Sequence, residues 1–136
     1  MARVFQGNVE IPGDKLSDYL QALDDAEKAR EPFRQQLTQF NREFERALLQ
    51  KVSAKTARKH TATIDLFIDF ICWQTDVQCI PEITRGMANS YFRRWYRSKV
   101  GYGSDSDLTT AVKKFFQFLS TEKGITNDAV LKSFQR

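Results

Sequence analysis

Residues 53–71 read SAKTARKHTATIDLFIDFI, and in them His60, Ile64, Phe67, Ile68 and Ile71 recur at i, i+4, i+7, i+8 and i+11. That is the period of an α-helix with one apolar stripe. At about 100° per residue, Lys55, Arg58 and Lys59 fall on the opposite side and point outward together. Ser53 is the expected N-cap, its hydroxyl accepting from an orphan first-turn N–H, although no Glu or Gln follows to complete a capping box.

Two further stretches repeat the plan. Residues 83–99, ITRGMANSYFRRWYRSK, predict a helix capped by Thr84, with Met87, Ala88, Tyr91, Phe92 and Trp95 inward and Arg93, Arg94 and Arg97 outward. Gly101 and Gly103 are expected to end it, since glycine reaches the left-handed backbone of a helix terminus without a side-chain clash. A third helix is expected from Ser104 or Asp105 to Lys123, before Gly124, with Leu108, Val112, Phe115 and Leu119 inward and Lys113 and Lys114 mostly outward. A short last helix is expected near Asp128 to Phe134.

This order of helices and loops resembles the SAM-like core-binding domain of phage integrases and tyrosine recombinases. The resemblance is carried by Ser53 and Thr56, by His60 where the family more often has Tyr, and by Ile64, Phe67 and Phe70. It continues through Ile83, Thr84 and Tyr91, then Ser104, Ser106 and Thr109 leading into KKFFQFLSTEKGI at 113–125. It covers a little over half the chain, and Asn127–Asp128 stands where the family commonly has Asn-Pro. The resemblance implies an all-α, SAM-like orthogonal helical bundle at residues 51–136. It also implies duplex DNA as partner, contacted by Lys55, Arg58, Lys59, Lys113 and Lys114 mainly at phosphates. Arg93, Arg94 and Arg97 join the candidate contacts from charge geometry alone.

Charge follows the same division. Residues 1–50 hold 7 Lys/Arg against 9 Asp/Glu, net −2, whereas residues 51–136 hold 14 against 8, net +6. A basic surface favours a phosphate-bearing partner through counterion release. The competing reading is that cations opposite an apolar stripe are simply the solvated face of a helix.

In residues 1–50 two amphipathic helices are expected. One runs from Asp14 or Lys15 to Arg30 with the stripe Leu16, Tyr19, Leu20 and Leu23; the other starts near Pro32, which suits a first helical turn. The second carries Phe33, Leu37, Phe40, Phe44 and Leu48 in a narrow arc. The favoured expectation is that this N-terminal extension packs on or beside the bundle; the alternative is a docking stripe for a recombinase or a second copy of the chain.

Recombination chemistry needs a nucleophilic Tyr, transition-state cations and a general acid and base, commonly including HxxR. The single His60 has Thr63 three residues on, and Tyr19, Tyr91, Tyr96 and Tyr102 include no candidate beyond the recombinase-like region. No enzyme is expected. Cys72 and Cys79 lack a second ligand pair, so no metal or cofactor is expected; the thiols are read as free or as one core and one loop thiol, and their spacing also permits a disulfide across the loop. No 18-residue apolar run and no apolar leader core is present, so a cytoplasmic protein without membrane association is expected. The alternative function is a stand-alone accessory or protein-interaction module that has lost DNA affinity.

Overall fold

A computed structural model describes residues 13–101 and 104–134. The described residues are helical and loop, with no strand. The architecture is all-α: α1 (Leu16–Leu49), α2 (Ala54–Gln74), α3 (Phe92–Val100), α4 (Asp105–Lys123) and α5 (Asp128–Ser133). A single turn at Gly13–Lys15 leads into α1, another lies at Ile80–Glu82, and a π-helical turn at Met87–Tyr91 opens α3.

The helix boundaries follow local chemistry. Ser53 Oγ accepts from the Thr56 N–H at 3.2 Å, Thr84 Oγ1 from Met87 at 3.2 Å and Ser104 Oγ from Asp107 at 3.0 Å, so each hydroxyl satisfies a donor that its helix leaves open. Gly101 (φ 81°) and Gly124 (φ 66°) end α3 and α4 in the left-handed region. Gly103 and Tyr102 lie outside the described residues, as do Gln135 and Arg136 at the end of the chain. Asn127 caps α5, accepting from Val130 N–H at 3.1 Å.

Residues 16–49 form one helix of 34 residues, not the two expected from Pro32. Proline removes one backbone bond and crowds the carbonyl of residue i−4, here Lys28. Both residues are exposed, where a carbonyl that loses its intrahelical partner can be hydrated. On either side of the proline the chain is held to α2: Arg30 Nη1 donates to the Cys72 carbonyl at 2.6 Å, and Arg34 Nη1 meets Asp69 Oδ1 at 2.9 Å. A break at Pro32 would forfeit one of these anchors.

α1 runs antiparallel to α2, since Arg30, Arg34 and Asn41 meet Cys72, Asp69 and Thr61 in turn. Phe33, Leu37, Phe44 and Leu48 are buried and Phe40 is half-buried, all in the same core as Ile64, Phe67, Ile71, Phe115 and Leu119. The stripe considered for docking is therefore occupied by the protein itself. Phe44 lies edge-on to Phe115 at 5.4 Å and tilted to Phe118 at 5.6 Å, which fastens α1 to α4.

Tyr91, expected inward, is instead 37% exposed. The π-helical turn holds one extra residue, so the position below Met87 passes from Tyr91 to Phe92, which is fully buried against Phe67 and Phe70. The Tyr91 ring is left outside, over Gly86, where an added Cβ would come within 3.0 Å of it.

Candidate nucleic-acid interface

The start of α2 carries Lys55, Arg58 and Lys59 in its first two turns, all exposed, and no acidic residue in its first turn. Cations there oppose the positive end of the helix dipole, at about 0.3–1 kcal/mol each near the terminus. The positive potential at this end is not offset from within the helix.

α4 supplies both the counter-charge and another cation. Asp107, in its first turn, pairs with Lys59 at 3.1 Å, and this contact together with the Ser104 hydroxyl holds its carboxyl below the usual carboxylate range. About two turns further along α4, Lys114 approaches His60. Burial lowers the imidazole's pKa from its usual 6.5, and repulsion from Lys114 and then Lys59 lowers it further, against a weaker opposite pull from Asp107. His60 is thus a buried side chain that burial and cations from two helices bias toward its neutral form. Asn41, Thr61 and Glu45 hold the other flank of α2: Asn41 Nδ2 donates to the Thr61 carbonyl at 3.1 Å, and Thr61 Oγ1 to Glu45 at 3.3 Å.

A groove of about 500 Å³ opens beside Lys114. Its floor includes Phe44, Leu48, Val52 and Phe118, and its rim carries Lys51 and Lys114 together with Glu122. Lys51 was not among the sequence candidates. Its position just before the Ser53 cap was the available signal, because a residue preceding a helix start shares that end of the helix.

The eight sequence candidates fall into two groups. Lys55, Arg58, Lys59 and Lys114 gather around the beginning of α2, with Lys113 exposed one position round α4 from Lys114. Arg93, Arg94 and Arg97 belong to α3, which packs through Phe92 and Trp95 on the later half of α2, against Phe67 and Phe70. Arg97 is paired with Asp105, the Arg94 guanidinium lies 5.9 Å from the centre of the Tyr91 ring, and Arg93 is half-buried. Asp107 binds one cation of the first group, Lys59, and Asp105 one of the second, Arg97. Among the described residues, Lys55, Arg58, Lys113 and Lys114 form no ion pair.

The remaining chemistry is sparse. Cys72 is buried, and burial pushes its thiol up; Cys79 is exposed; neither is in a disulfide. Among the described residues no group of three His, Cys, Asp or Glu side chains could hold a metal ion, and no helix is long and apolar enough to cross a membrane. No family model, curated protein or solved structure matches the chain.

Proposed function

We propose that this protein is a non-catalytic binder of duplex DNA that uses the start of α2 and the adjoining face of α4, in the manner of a recombinase core-binding domain. The observation that carries the reading is the placement of Lys55, Arg58 and Lys59, all exposed, in the first two turns of α2, with Lys51 just before the cap and Lys114 of α4 across the groove from Lys51. Cations from two helices and the loop between α1 and α2 suit a row of phosphates better than one small anion, because among the described residues they stand exposed or half-buried along an open surface. Contacts to phosphates fix position without reading bases, so affinity is modest and weakly dependent on sequence.

Fluorescence anisotropy with a random duplex tests the reading. Replacing Lys55, Arg58 and Lys114 together by Gln is expected to weaken binding at least tenfold, while replacing Arg93, Arg94 and Arg97 has a smaller effect. Equal loss from both sets would contradict the site, and no binding by the parent protein at low salt would contradict the function. A second reading, a protein-interaction module, is favoured by one separate observation: Leu16, Leu20 and Leu23 are 47%, 55% and 50% exposed.

A further inference from the structure

The first half of α1 is an arm. Arg30 meets Cys72 near the end of α2, so the residues from Leu16 to Ala29 extend past the helix against which α1 packs, and all are exposed except a half-buried Tyr19. At 1.5 Å per residue that overhang is about 20 Å long. The arm shows Leu16, Tyr19, Leu20 and Leu23 at i, i+3, i+4 and i+7, one apolar stripe with no partner among the described residues. Isolated helices are marginal in water, so a stripe of this kind is stabilised when another surface covers it.

The arm is also acidic. Between Leu16 and Ala29 it holds four Asp/Glu against one Lys. At the other end of the same helix lies its complement, the groove floored by Phe44, Leu48, Val52 and Phe118 and rimmed by Lys51, Lys114 and Glu122, two cations to one carboxylate. The arm cannot reach that groove within one molecule. Leu20 and Leu48 belong to one continuous helix and are about 42 Å apart along its axis.

We propose that the arm of one copy docks in the groove of a second copy, its leucines on the apolar floor and its carboxylates beside Lys51 and Lys114. The contact is head-to-tail, so each molecule keeps one unused arm or groove and assembly proceeds to a ring or a filament. The surface is small, so association is weak and appears at high protein concentration. Salt weakens it, because its polar part is charge pairing at an exposed rim.

Sedimentation velocity of the full chain without DNA tests this. The parent protein is expected to gain mass with concentration at low salt and to lose it at high salt. An arm variant, Leu20→Asp with Leu23→Asp, and a groove variant, Lys51→Glu with Lys114→Glu, are each expected to be monomeric with unchanged circular dichroism; all four positions are exposed or half-buried. Mixing the two variants is expected to restore one intact arm and one intact groove, giving a heterodimer that stops at two chains. A parent protein that stays monomeric overturns the proposal. So does a groove variant that still dimerises, which would assign the stripe to arm-to-arm pairing, or a mixture that fails to associate.

Discussion

Lys59 Nζ lies 3.1 Å from Asp107 Oδ2, tying the first turns of α2 and α4 together through an ion pair whose two side chains are both more than half exposed. An exposed pair of this kind contributes little to stability. Its larger effect is on the surface potential, since it withholds one cation from the basic end. Asp107→Asn is therefore expected to tighten duplex binding about two- to five-fold at low salt, with the gain fading as salt rises. Anisotropy titrations of the two proteins side by side check this; weaker binding by the variant would show that Asp107 organises the site instead of masking it.

The buried imidazole makes stability depend on pH in a defined direction. His60 has a folded pKa below its usual 6.5, so on acidification the unfolded chain takes up the proton first. Its contribution is undiminished above about pH 6.5 and is lost progressively as pH falls below that value. The urea midpoint is expected to drop between pH 7 and pH 5, and His60→Gln is expected to flatten that part of the profile whatever it does to absolute stability. An unchanged slope in the variant would assign the acid sensitivity to other groups.

Asn127 is a second buried polar group, and it holds the last helix in place. Its Nδ2 donates to the carbonyls of Ile80 and Ile83, both at 2.9 Å, while its Oδ1 caps α5. Asn127→Ala leaves the Ile83 carbonyl and the Val130 N–H without a partner and the Ile80 carbonyl with only the Ile83 N–H, and is expected to cost about 2–4 kcal/mol, read from chemical denaturation. Asn127→Asp keeps the cap but sets a carboxylate against two carbonyl oxygens, so it is expected to be no better than Ala.

Because Phe33, Leu37, Phe44 and Leu48 complete the core, the basic segment is not expected to fold alone. A chain beginning at Lys51 should lack the near-ultraviolet circular dichroism of packed aromatic rings. Phe44→Ala in the full chain should cost about 3–5 kcal/mol, as expected for a large buried ring. Native-like packing in the shortened chain would show that α1 only covers a self-sufficient bundle.

Much of this fold was legible because its signals are local. Ser53, Thr84 and Ser104 announce helix starts, Gly101 and Gly124 announce ends, and the stripe from His60 to Ile71 points inward at a constant period. What escaped was non-local or broke the period. Pro32 looks the same at the start of a helix as within one, and only the anchors of Arg30 and Arg34 on α2 make the helix continuous. The extra residue in the turn before Phe92 shifts the phase and turns Tyr91 outward, which a regular period cannot anticipate. At the candidate site, the outward direction of Lys55, Arg58 and Lys59 was readable from the helix period. The pairing of Lys59 with Asp107 and of Arg97 with Asp105, which separates the basic side chains into two groups, depends on how helices distant in sequence pack.

The salt dependence of duplex binding tests the central claim most directly. With several of Lys51, Lys55, Arg58, Lys59 and Lys114 on phosphates, log affinity should fall linearly with log salt at a slope of about −3 to −5, near −0.9 per phosphate contacted. Removing Lys55 and Lys114 together should make that slope shallower by about two. A slope near zero, or one that the double variant leaves unchanged, would contradict a phosphate-binding surface at the start of α2.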